Sequence, residues 1–107
     1  MLAPFLAQST MYFRFKTNSN GTMVFRVSPK DQPSIDITVG VVEGARENKI
    51  ASVIRDAFRL QLPRDSYHIE KDDGEDVLVK ARGDTPHFAL SMLTNNVKSV
   101  LIRLDKE

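Results

Sequence analysis

Residues 35–62 read IDITVGVVEGARENKIASVIRDAFRLQL, and a change of hydrophobic period inside this stretch decides the fold class. Ile35, Ile37, Val39 and Val41 recur at every second residue against Asp36, Thr38 and Gly40, the pattern of a strand with one buried face. After Gly44 the period lengthens. Over residues 45–62, Ile50, Val53, Ile54, Ala57 and Phe58 take the i, i+3, i+4, i+7, i+8 positions of one helix face, while Lys49, Ser52, Arg55, Asp56 and Arg59 take the other. Pro63 cannot continue the helix. At ~1.5 Å per residue such a helix spans ~27 Å, enough to lie across a sheet.

Working outward, residues 12–27 read as a hairpin. Phe13 and Phe15 alternate with Arg14 and Lys16, and Met23, Phe25 and Val27 alternate with Val24 and Arg26, around a turn at Asn20-Gly21. Residues 66–71 and 76–82 form a second hairpin about Asp72-Asp73-Gly74, with Tyr67, Ile69, Val77, Val79 and Ala81 inward. Thr85-Pro86 resembles a helix start, and Phe88, Ala89, Met92 and Leu93 then supply the apolar side of a short helix that Asn95-Asn96 can stop. Residues 97–104 follow as a last strand with Val100, Ile102 and Leu104 inward. The expectation is an α+β domain of order β-β-β-α-β-β-α-β, with a mainly antiparallel sheet and one long and one short helix on one face. The order of elements is shared by many unrelated domains and names no family.

The 107-residue length suits one domain, placed at residues 11–107, with residues 1–10 (MLAPFLAQST) as an extension, either disordered or docked as an arm. That stretch is apolar but lacks a basic leader and is broken by Pro4, so a secretory signal is not expected. No run approaches the ~20 apolar residues of a spanning helix, and no membrane partner is expected. With no Cys, disulfides, thiolate metal sites and cysteine nucleophiles are excluded, which fits a cytoplasmic setting. Fifteen Lys plus Arg against fourteen Asp plus Glu leave a net charge of +1, so charge-driven binding has to be local.

His68 and His87 are the only histidines, and their spacing is not that of a metal site. Asp72, Asp73, Glu75 and Asp76 crowd Gly74, but the spacing departs from a calcium loop and reads as a solvated turn. Arg82-Gly83-Asp84 and Asn20-Gly21-Thr22 match short adhesion and glycosylation patterns and are read as turns. No phosphate loop, nucleophile elbow or paired-histidine zinc motif is present, and neither a cofactor nor a catalytic residue is assigned.

Strand parity then suggests two surfaces. Tyr12, Val24, Leu78 and Leu101 fall outward and together would form an apolar centre, the basis for a non-enzymatic protein-interaction module (an adaptor, inhibitor or accessory subunit) acting through its outward sheet face or an open strand edge, as a homo-oligomer or with another protein. Arg14, Lys16 and Arg26 also fall outward beside Tyr12, the basis for an alternative, a nucleic-acid-binding domain. A small enzyme without a readable motif is the third reading.

Overall fold

This computed structural model describes residues 5–14, 19–72, 76–97 and 101–106, with backbone only at 13–14, 72 and 101–106, and among the described residues the chain forms seven strands and one helix. In order they are β1 (Gln8–Arg14), β2 (Gly21–Pro29), β3 (Ile35–Val41), α1 (Glu47–Gln61), β4 (Tyr67–Asp72), β5 (Asp76–Ala81), β6 (Phe88–Asn95) and β7 (Leu101–Lys106). The fold is mixed α+β and mostly sheet, as expected. The strands make two antiparallel sheets, a four-stranded one of order β4-β5-β1-β7 and a three-stranded one of order β3-β2-β6.

The stretch that decided the fold class behaves as its pattern dictates. Ile37, Val39 and Val41 are buried, and so are Ile50, Ala51, Ile54 and Phe58 on one face of α1. The helix ends where Pro63 removes the next donor; the Leu62 N–H closes the last turn on the Phe58 carbonyl at 2.9 Å. Phe58 meets Phe25 of β2 edge-to-face, with ring centroids 5.5 Å apart. One apolar cluster unites α1 with both sheets, taking in Met11 from β1, Met23, Phe25 and Val27 from β2, and Val77 and Val79 from β5.

The helix also closes an edge of each sheet. At β3, Gln61 Oε1 accepts from the Thr38 N–H at 3.0 Å and its Nε2 donates to the Thr38 carbonyl at 2.9 Å, standing in for a neighbouring strand. At β4, Arg59 donates from Nε and Nη2 to the Ile69 carbonyl at 3.1 and 2.8 Å. Edge strands expose unpaired backbone groups that invite another chain, and these two contacts blunt that tendency.

Two expectations are corrected. First, β1 and β2 are not a hairpin. β1 pairs with β5 and β7, and β2 pairs with β3 and β6, so the two strands belong to different sheets. Gly21 opens β2 instead of turning a hairpin; a Cβ there would come within 2.6 Å of Asn96 Oδ1 and 2.8 Å of Val97 Cγ2. Close approach, not positive φ, explains this glycine. The hairpin partner of β2 is β3, joined through a turn where Asp31 adopts φ 61°.

Second, residues 88–95 form β6 and not a short helix. Phe88 and Leu90 are buried and Met92 partly so, facing the core from the same side as Pro29, Val27 and Phe25 across the ladder. Eight residues with apolar groups at 88, 89, 90, 92 and 93 satisfy either period, and pairing with the open side of β2 decides between them. Leu93 is the extra residue of a bulge where the register shifts between Val24 and Phe25. The observed order is therefore β-β-β-α-β-β-β-β, with one helix, and that helix contacts both sheets.

At the N-terminal end, β1 starts at Gln8. Ser9 and Thr10 are buried within β1, and Leu6 exchanges both backbone hydrogen bonds with Phe88 at 2.8 and 2.9 Å, joining the two sheets. Residues 1–4 lie outside the described residues. No helix among the described residues is long and apolar enough to cross a membrane.

Candidate functional site: an arginine-lined cleft

The corner where α1 ends and β4 begins holds a cleft of about 350 Å³ lined by Arg59, Leu62, Arg64, Tyr67, His68, Ile69 and Arg82. Its construction is local. Pro63 ends the helix, and its carbonyl then accepts the N–H groups of Ser66 and Tyr67 at 3.1 Å each, forming a turn that carries Arg64. The β4–β5 pairing brings the chain beyond β5 back to this turn, where the Arg82 N–H donates to the Ser66 carbonyl at 2.8 Å. Leu62, Tyr67 and Ile69, all buried, provide an apolar floor. Burial also raises the Tyr67 phenol above its ordinary range, so the hydroxyl stays neutral at physiological pH.

The polar groups are ordered by partners that are not carboxylates. Arg59 is fixed by the Ile69 carbonyl. Arg82 Nη2 lies 3.2 Å from His68 Nδ1, and His68 Nε2 lies 2.9 Å from Glu70 Oε2. A guanidinium can only donate, so in the Arg82 contact Nδ1 is the acceptor. Arg64 is exposed and makes no hydrogen bond or ion pair among the described residues. Among those residues no carboxylate lines the cleft. Three arginines thus line one small concavity, none of them paired with a carboxylate among the described residues.

No known protein family matches this chain, and no curated protein does.

The positions expected from sequence are distributed differently. Tyr12 and Leu78 share one face of the four-stranded sheet as diagonal neighbours, since Tyr12 pairs with Asp76 and Thr10 with Leu78; both are half-buried. Leu101 stands opposite Arg14 in the β1–β7 ladder. Val24 lies in the other sheet, between Thr38 and Thr94, so the four residues do not make one patch. Of the basic set, Arg14 is in β1 and Arg26 in β2, again in different sheets, and Lys16 lies outside the described residues. Arg26 is engaged by its cross-strand neighbour Asp36 in a two-point contact at 2.7 and 3.1 Å. His68 belongs to the cleft, while His87 lines a separate open depression with Phe5, Lys30, Asp31, Gln32 and Pro86. Among the described residues no cluster of His and carboxylates has the makings of a metal site.

Sequence reasoning missed Arg59, Arg64 and Arg82. A signal was present: a hairpin centred on Gly74 sets Arg82 opposite Ser66, and hence beside Arg64 and His68.

Proposed function

We propose that this domain is a non-enzymatic protein-interaction module that holds an anionic group of its partner in the Arg59–Arg64–Arg82 cleft. One observation carries the reading: three arginines from three separate segments line a single cleft in which no described carboxylate answers them, on a chain whose net charge is only +1. Guanidinium groups held over an apolar floor make stronger charge-assisted hydrogen bonds than the same groups in open water. Leu60, 84% exposed on the same last turn as Arg59, offers the partner apolar contact area. This places recognition at the corner of the fold; the β3 and β4 edges are already engaged at Thr38 and Ile69. The partner is a second protein, met in a reducing cytoplasmic setting that a cysteine-free chain tolerates.

A protein partner is favoured over nucleic acid because duplex or single-stranded nucleic acid needs a basic track, and Arg26 is neutralised by Asp36 in the other sheet. The test is a nuclear magnetic resonance titration of the full chain with a Glu-rich peptide. Shifts should centre on Arg59, Arg64, His68 and Arg82, and Arg64→Glu with Arg82→Glu should eliminate them. Shifts centred on Tyr12, Leu78 and Val24 would return recognition to the sheet faces, and no shifts from any anionic peptide would remove the reading.

A further inference from the structure

We infer that the cleft is a phosphoryl-group site, selecting a phosphomonoester on the partner protein over a carboxylate; the inference rests on the cleft being the docking site proposed above. The argument is one of charge and donors. A carboxylate has two oxygens and a single charge, and one arginine fork engages both oxygens and balances that charge. Here three arginines line one cleft. Arg59 commits its Nε–H and one Nη2–H to the Ile69 carbonyl, Arg82 commits one Nη2–H to His68, and Arg64 commits none among the described residues. The N–H groups left over outnumber the lone pairs of any carboxylate, and a single bound carboxylate would leave most of the cationic charge uncompensated. A phosphomonoester brings three terminal oxygens and about −1.5 to −2 charges at neutral pH, which matches both counts more closely.

Preorganisation points the same way. The Ile69 carbonyl orients the Arg59 guanidinium and His68 orients that of Arg82, so two of the three forks are set before a ligand arrives and lose less freedom on binding it. Because neither anchor is a carboxylate, neither cancels the charge it positions. The volume of about 350 Å³ accepts a phosphoryl group with the side chain that carries it, the scale of a small-ligand pocket.

The experiment compares four probes on the full chain by calorimetry and resonance mapping: inorganic phosphate, a phosphoserine peptide, the same peptide with Glu at that position, and a 5′-phosphorylated oligonucleotide. Inorganic phosphate should shift Arg59, Arg64 and Arg82, and the phosphopeptide should bind at least about tenfold more tightly than its Glu counterpart. Arg64→Ala, at an exposed position with no described contact to lose, should weaken phosphopeptide binding several-fold while leaving the spectrum dispersed, and Arg64→Lys should restore only part of it because a lysine cannot chelate two oxygens. Equal affinity for the phosphoserine and Glu peptides overturns phosphoryl selectivity and leaves acidic-group recognition standing. Failure of all four probes overturns both. Tighter binding of the oligonucleotide than of the phosphopeptide, mapped to the cleft, overturns the protein partner.

Discussion

Arg26 in the three-stranded sheet and Arg82 at the end of the four-stranded one are both held by a neighbouring side chain, yet the two regions differ in what remains afterwards. Arg26 meets Asp36 across the ladder at 2.7 Å, and the two charges cancel locally. Arg82 meets an imidazole and Arg59 a backbone carbonyl, neither of them an anion, so the geometry of both is fixed and their charge survives. An arginine becomes available for recognition when the fold satisfies its direction without satisfying its charge. Strand register settles which case applies: Arg26 pairs with Asp36, whereas Arg82 lies one residue past β5, where the ladder gives way to the Pro63 turn.

The largest effect is expected where the two regions share a support. Phe58 is fully buried, packs on Phe25 of the three-stranded sheet, and sits one residue before the arginine that reaches β4. Phe58→Ala should cost about 3 to 5 kcal/mol, measured by urea denaturation, because it leaves a cavity between helix and sheet. The loss should release Arg59 from Ile69 as well, so anion binding ought to fall together with stability. A variant that loses stability and keeps full binding would separate the cleft from the core and break the comparison.

A smaller effect is expected at Arg59. Removing its side chain strips the Ile69 carbonyl of two donors at a partly buried site, and Arg59→Ala should cost on the order of 1 kcal/mol in the same measurement. Anion affinity should fall further than that stability change implies. If affinity is untouched, Arg59 serves the β4 edge alone.

The extent to which these regions were legible beforehand follows from how local their causes are. The β3–α1 stretch and the β4–β5 hairpin are specified by period and by punctuation at Gly44, Pro63 and Gly74, and they fold as read. β6 was misread because Ala89, Leu90 and Met92 are good helix formers in a segment whose state depends on the distant β2 ladder. The N-terminal hairpin was misread because Asn20-Gly21 is a strong turn signal, while Gly21 is required by contact with Asn96 and Val97, a relation spanning more than seventy residues. The cleft combines a helix end, a turn and a strand end, so no short motif could announce it. The Arg82–Ser66 register was the one available clue.

The smallest effect, and the sharpest control, concerns the paired region. The hydrogen bonds and charge of Arg26 hold the Asp36 carboxyl below the usual carboxylate range, and Asp36 in turn raises the guanidinium. A carboxyl whose folded value is depressed contributes stability above its unfolded value of about 3.9, and that contribution is lost as the pH falls through the folded value. Both side chains are close to half exposed, so water and salt screen the pair. Asp36→Asn should therefore shift the urea midpoint only slightly at neutral pH, and the shift should vanish in molar salt and at acid pH below the ordinary carboxylate range. The same variant frees one isolated guanidinium on the three-stranded sheet. Phosphopeptide binding should stay at the cleft and remain unchanged, because a single exposed arginine has neither a second fork nor an apolar floor to hold the anion. If Asp36→Asn instead created a second binding site at Arg26, uncompensated charge alone would suffice for recognition, and the preorganisation seen at Arg59 and Arg82 would be incidental.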